Sequence, residues 1–339
     1  MFFCVIILWI ERRCCMDTSM YADELIKHAI KQRVSDIFVL PTTDGYTIKF
    51  KTLVGLQIVE NISANKGVEV INHFKFIAEM DIAEHRRPQV GSFIKETNEK
   101  NVFLRFSSVG DFLNRESMVI RLIYDIGDCH YFFPEQFEKL KQLSKKRGMI
   151  VTSGPTGSGK TTTMYQLIKQ ISSEKFVMTI EDPIEILEPD FLQTQINNQA
   201  GIDYLSLLKS ALRHRPDILV IGEIRDAQTA KVAINAALSG HLVLTTIHAK
   251  STYQIIDRFL GLGIKMPELE NALTAISYQR LLPTVKNTFS CLLDIADATK
   301  WRKSVSEYDT NFVDWQQNIE NLYHKGVIDS DVFQSFLEG

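Results

Sequence analysis

The chain has 339 residues, 45% of them hydrophobic and 23% charged, with a formal net charge of −3 and a pI of about 6.3. That length suggests about two domains, the composition is that of packed globular domains rather than disordered chain, and the charge gives no basic footprint for a nucleic-acid partner. Five cysteines, Cys4, Cys14, Cys15, Cys129 and Cys291, form no C-x-x-C pair, which excludes a zinc site of the usual spacing and fits a reducing compartment.

Residues 2–10 are an apolar run followed by Glu11, Arg12 and Arg13. The run is too short to cross a bilayer as a helix and lacks the basic start and small-residue cleavage site of a signal peptide. A membrane-surface anchor is one reading. The favoured one is translation starting at Met16 or Met20, leaving 1–19 as a poorly defined extension. From Met20 an amphipathic helix is predicted, with Leu25, Ile26, Ala29 and Ile30 at helical spacing. Strand-like runs at 36–40 and 46–50 flank Pro41 and Asp44-Gly45, a hairpin signal with a longer loop. Residues 65–80 read as a helix, and 93–94, 101–106 and 117–124 complete a sheet. Residues 20–125 are therefore expected to form a small α+β domain. Residues 126–133, with Gly127 and then Pro134, are the predicted linker. A charged helix from Pro134 leads to a strand at 148–153, and apolar runs at 176–180, 217–221 and 242–247 alternate with helices. That alternation predicts an α/β unit over 134–250, a parallel sheet covered on both faces. The rest, 251–339, reads as helical. Phe312, Trp315, Ile319, Leu322 and Tyr323 fall on one face, ended by Gly326, and form a core or docking stripe.

The strongest chemical signal follows the 148–153 strand. Gly154, Pro155, Thr156, Gly157, Ser158, Gly159, Lys160 and Thr161 fill G-x-x-x-x-G-K-[ST], and Thr162 continues into a good helix former. Glycines let backbone N–H groups turn inward around phosphate oxygens, and a helix N-terminus adds partial positive charge. Lys160 is predicted to reach the β/γ-phosphates of ATP, and Thr161 a Mg²⁺ ion. Three further motifs follow. Thr179, Glu181, Asp182 and Glu185 end a strand, where carboxylates hold Mg²⁺ through water or orient the attacking water; a helix-capping acidic turn is the alternative. Residues 218–223 read as a modified Walker B strand, with Gly222 in place of the usual Asp and Glu223 left to serve metal and water. His241 and His248 flank a buried strand. Alone they would read as structural; after the other motifs, one is positioned to sense the γ-phosphate.

This ordered set resembles the secretion-ATPase superfamily that powers type II secretion and type IV pili. The N-terminal part matches too, at Ser35-Asp36-Ile37, Arg87-Pro88-Gln89, Gly91, Phe93, Leu104-Arg105 and Val119-Ile120-Arg121. The resemblance covers roughly 20–283. It implies a RecA-like P-loop NTPase core, a PAS-like N-terminal domain, and two arginines, Arg105 and Arg121, that act as fingers on a neighbouring module's nucleotide. With them the implied catalytic set is Lys160, Glu185, Glu223 and His248, with Mg²⁺ on Thr161 and Glu223, partly through water. It further implies a homo-oligomer, a hexameric ring, cytoplasmic at the inner face of the membrane. The implied partner is a polytopic membrane platform protein, and no direct nucleic-acid contact is expected. After Tyr278-Gln279-Arg280-Leu281 there is no four-cysteine zinc module, and the large extra N-terminal domain of bigger members is not in this sequence. The 257–263 segment differs from the pilus-retraction members. The compact chain and its Leu212-Arg-His-Arg-Pro-Asp-Ile218 segment are most similar to the competence ATPases of Gram-positive bacteria, motors for a transformation pseudopilus. Type II secretion or pilus motors are the neighbouring reading. A non-hydrolysing nucleotide-binding scaffold suits the missing Walker B Asp but not the retained Lys160, Thr161, Glu185 and Glu223.

Overall fold

A computed structural model describes residues 17–52, 55–97, 101–124, 129–197, 200–286, 288–307 and 311–339. The apolar run, Cys4, Cys14, Cys15, Met16, Asp125 and residues 126–128 of the predicted linker lie outside the described residues. The chain divides into two compact units, Met1–Asp125 and Ile126–Gly339.

The first unit is built from α1 (Thr18–Lys31), β1 (Asp36–Pro41), β2 (Tyr46–Thr52), β3 (Gly55–Ile62), α2 (Ala64–Ile77), β4 (Gln89–Lys95), β5 (Val102–Gly110) and β6 (Glu116–Ile123). Its sheet runs β3-β2-β1-β6-β5-β4, with every neighbour antiparallel. Period-two alternation places Leu104, Phe106 and Ile120 in a core with Leu25 of α1 and Ile71 and Phe74 of α2. The intervening residues take the other face, and there Arg105 stands opposite Arg121. Ser63 caps α2, its hydroxyl accepting from the Lys66 N–H. Lys75, fully buried in α2, donates to both Glu116 carboxylate oxygens at 2.9 and 3.2 Å and to the Glu84 carbonyl at 2.6 Å. Strand β3 escapes the sequence reading because Leu56 and Ile58 point outward from an exposed edge.

The second unit contains α3 (Pro134–Leu143), β7 (Gly148–Ser153), α4 (Lys160–Ile171), β8 (Val177–Glu181), β9 (Leu192–Gln195), α5 (Tyr204–His214), β10 (Ile218–Ile221), α6 (Ala227–Leu238) and β11 (Leu242–Ile247). It continues with α7 (Gln254–Gly261), α8 (Met266–Ala272), β12 (Leu273–Pro283), β13 (Phe289–Asp297), α9 (Ala298–Glu307), α10 (Trp315–His324) and α11 (Ser330–Phe336). The sheet order is β13-β12-β7-β11-β10-β8-β9; all neighbours are parallel except the edge pair β12–β13.

Two expectations are corrected here. Residues 251–339 are not wholly helical, because β12 and β13 extend the sheet beside β7. These strands are buried along most of their length, so their apolar runs lack the alternation that marks a half-exposed strand. The described end of the predicted linker belongs to the second unit. Phe132 N–H donates to the Cys291 carbonyl at 3.0 Å, and Cys291 N–H to that of His130 at 2.7 Å. The aromatic stripe of α10 is core: Trp315, Ile319 and Leu322 pack on Tyr278, Leu282 and Leu292, while Tyr323 stays exposed.

Asp294 of β13, 1% exposed, fastens α10 to this sheet. Its carboxylate accepts from the Val313 and Asp314 N–H groups at 2.8 Å each and from the Thr252 hydroxyl. Asp294→Ala removes the acceptor of three donors, one of them the fully buried Thr252 hydroxyl, and is expected to cost about 1–3 kcal/mol. Thermal unfolding checks this; a midpoint equal to wild type would show the brace to be idle.

Candidate nucleotide-binding site

A parallel sheet delivers all its strand C-termini to one edge. Ser153 pairs with Ile247 and with Tyr278, and Ile221 with Thr245 and Ile180. The segments that follow β7, β8, β10 and β11 therefore meet around one cavity of about 610 Å³, lined among others by Thr156, Lys160, Thr161, Glu185, Glu223 and His248.

The phosphate loop turns between β7 and α4, with Gly157 and Gly159 at φ +79° and +82°, the left-handed region glycine favours. At Gly154 a Cβ would lie 2.4 Å from the Gln279 carbonyl oxygen, so the loop packs directly on β12. Gln279, fully buried, also donates its side-chain amide to the Ser158 carbonyl at 2.7 Å. In sequence the Gln-Arg-Leu segment marks only the subfamily; in the fold its glutamine braces the loop.

Lys160 donates to the Gly154 and Pro155 carbonyls at 2.9 Å each. Burial lowers its pKa, while Glu223 and Glu185 act in the opposite direction. An ammonium held by two carbonyls in a partly desolvated mouth is ready for transfer to an anion. Thr161 donates its hydroxyl to Glu185 at 2.6 Å. Glu223 receives Arg225 Nε at 2.8 Å and lies 3.2 Å from His248 Nε2. Arg225 also approaches Asp182 at 4.0 Å, and the Glu223 hydrogen bond raises its pKa. Gly222, where a Walker B Asp would stand, extends the ladder through N–H to the Ile180 carbonyl at 2.8 Å, and its carbonyl accepts from Thr246. Glu181 is buried and receives Tyr165 and Thr179 hydroxyls at 2.5 and 2.7 Å; burial raises its pKa.

Of the predicted residues, Thr156, Gly157, Gly159, Lys160, Thr161, Thr162, Glu185, Glu223 and His248 line the cavity. Gly154, Pro155 and Ser158 complete the loop without lining it. The two histidines part company. His241 immediately precedes β11 at the opposite edge of the sheet, bonded to the Ala236 carbonyl at 3.0 Å and beside Lys145, Arg147 and Arg215. Arg105 and Arg121 belong to the first unit, where Arg121 Nε donates to the buried Asp36 at 2.8 Å. A threonine hydroxyl and carboxylates are hard oxygen donors that suit Mg²⁺. Among the described residues no three His, Cys, Asp or Glu side chains converge as a metal cage.

A phosphate loop after a central parallel strand, Lys and Thr opening the next helix, and acidic groups at adjacent strand ends define a P-loop ATPase. The chain matches the family model described as "Type II/IV secretion system protein" over residues 17–318 and belongs to that family. It is 42% identical over 262 residues to competence protein ComGA of Streptococcus pneumoniae, covering 77% of this chain and 83% of that one. Identity to ComGA of Bacillus subtilis is also 42%, over 266 residues, 76% of this chain and 74% of the relative. Among solved structures, the Legionella pneumophila ATPase DotB superposes with a TM-score of 0.74 at 18% identity, covering 95% of this chain and 96% of that one. The pilus retraction motor PilT with bound ADP gives 0.71 at 22% identity, covering 92% and 95%. These two share the fold.

Proposed function

We propose that this chain is the ATP-hydrolysing motor that assembles a competence pseudopilus for DNA uptake. The observation that supports it best is the convergence of Lys160, Thr161, Glu185, Glu223 and His248 at one sheet edge. In this reading Lys160 leaves the Gly154 and Pro155 carbonyls for the β/γ-phosphates, and the loop N–H groups and helix terminus cradle them. Thr161 and Glu223 hold Mg²⁺, partly through water; the ion neutralises developing phosphate charge when bound. Glu223 or Glu185 orients the attacking water. His248, which lies beside Glu223, reports the γ-phosphate in this reading.

The remaining parts of the reading rest on family membership. The first unit is assigned as the PAS-like domain and the second as a RecA-like core. Arg105 and Arg121 act on a neighbouring subunit's nucleotide, which calls for a closed ring of copies, a hexamer. Among the described residues no helix is long and apolar enough to cross a membrane. The motor is assigned to the cytoplasmic face of the membrane, where it passes force to a polytopic platform protein; the DNA need not touch it.

Glu223→Gln tests the site. It keeps the size and one acceptor oxygen but removes the charge that serves metal and water. Nucleotide binding, read by fluorescent-nucleotide titration, should persist, while phosphate release falls by about 10²-fold or more. Wild-type turnover in the variant would remove Glu223 from the chemistry. A wild-type ring that binds ATP and never releases phosphate would instead be a non-hydrolysing scaffold.

A further inference from the structure

Three successive turns of one face of α4 grip the same segment of chain. Thr161, Tyr165 and Lys169 are four residues apart, so their side chains stack along the helix. Thr161 bonds Glu185 at 2.6 Å, Tyr165 bonds Glu181 at 2.5 Å, and Lys169 pairs with Glu188 at 2.7 Å. Gln193 of β9 closes the arrangement from behind. Its amide donates to Tyr165 Oη at 2.7 Å and to the Ile186 carbonyl at 2.8 Å, and its carbonyl oxygen accepts from the Glu188 N–H at 2.8 Å. The chain on both sides of Glu185 is thus tied to the helix that carries Lys160 and Thr161, through the Glu181 side chain on one side and through Gln193 and Glu188 on the other.

We propose that Tyr165 and Gln193 are positioning residues for hydrolysis, fixing Glu185 against Lys160 and Thr161. The inference rests on the ATPase reading above. In that reading Thr161 turns its hydroxyl to Mg²⁺, and Glu185 gives up the side-chain hydrogen bond that, among the described residues, now orients it. Its place is then set by the backbone of the 181–188 turn alone. Tyr165 is fully buried, and its hydroxyl both donates to Glu181 and accepts from Gln193. A buried network of this kind holds one geometry only while every member is paired. Displacing a reacting or orienting group by about 1 Å costs on the order of 10²-fold in rate. Substrate affinity, carried by the phosphate loop, is untouched by such a displacement.

Tyr165→Phe keeps the ring packed against Phe191 and removes only the hydroxyl. The assembled full chain is assayed for kcat, for nucleotide Kd by fluorescent-analogue titration, and for thermal midpoint, with Gln193→Leu and the double variant alongside. The expected result is a kcat loss of tenfold or more in each single variant, a Kd within twofold of wild type, and a double variant no worse than the poorer single. Should Tyr165→Phe fail to fold, Gln193→Leu carries the same expectation. A kcat within twofold of wild type overturns the proposal, including when the midpoint falls. So does a Kd that rises in step with the rate loss, or losses that simply multiply in the double variant. Wild type and Lys160→Ala are run beside them. If the first turns over ATP and the second does not, the ATPase reading stands and the Tyr165 result judges the positioning proposal alone.

Discussion

Lys160→Ala is expected to abolish ATP turnover and transformation while leaving the fold intact. Lys160 belongs to none of the hydrophobic clusters of the second unit, and among the described residues its ammonium bonds the Gly154 and Pro155 carbonyls. Truncation removes no core packing and returns two loop carbonyls to solvent at the mouth of an open cavity. What is lost is a charge aimed at phosphate. Because the ammonium is partly desolvated, each interaction it makes is stronger than in water. A single preorganised donor of this kind is worth about 10²–10³ in rate, and a full charge on a transferring phosphate more. Phosphate release should fall to background, the thermal midpoint should stay within a few degrees of wild type, and the variant should not restore transformation to a cell lacking the protein. Near-wild-type turnover would remove this loop from the active site.

The parts of the site legible in sequence are those whose chemistry is local. Phosphate cradling needs glycines, a lysine and a threonine at fixed spacing, so 154–161 announces itself. Glu185, Glu223 and His248 were found because each follows an apolar strand, and parallel pairing must bring such ends together. His241 and His248 look equivalent in sequence, at opposite ends of β11. Only the direction of the strand, set by pairing with β7 and β10, decides that His248 shares the loop's cavity. Gln279 was not legible as a site residue because its role depends on β12 lying beside β7, more than a hundred residues earlier. The same holds in the first unit. Lys75 lies in a predicted helix where a lysine suggests a solvated face, yet Glu116 reaches it from β6 and makes burial tolerable. Strands β12 and β13 were read as helical for a related reason: burial on both faces erases the alternation that would reveal them.

If Arg105 and Arg121 act on a neighbour's nucleotide as proposed, Arg105→Ala and Arg121→Ala are each expected to cut turnover strongly while leaving ATP binding weaker but detectable. They oppose one another on β5 and β6 in the first unit, whereas the phosphate loop is in the second. A finger arginine is worth about 10³–10⁵ in rate. Arg121 has a second task that must be separated from this one. Its Nε holds Asp36, a carboxylate only 4% exposed, which truncation leaves with the Ser35 hydroxyl as its side-chain partner. A stability loss of about 1–3 kcal/mol is therefore expected for Arg121→Ala. Arg121→Lys should restore most of that stability without the forked guanidinium that suits phosphate. Turnover well below wild type in a stable Arg121→Lys ring assigns the rate effect to the guanidinium. Mixing then distinguishes action on a neighbour from action on the same chain. Under the proposed ring, assemblies of Arg121→Ala subunits alone and of Lys160→Ala subunits alone are each expected to show little or no activity. In a mixed ring an Arg121→Ala subunit contributes an intact phosphate loop, and an adjacent Lys160→Ala subunit contributes an intact arginine. Activity should return and peak at intermediate ratios, with mixed composition confirmed by mass. No recovery at any ratio would mean that Arg121 serves its own chain or only anchors Asp36.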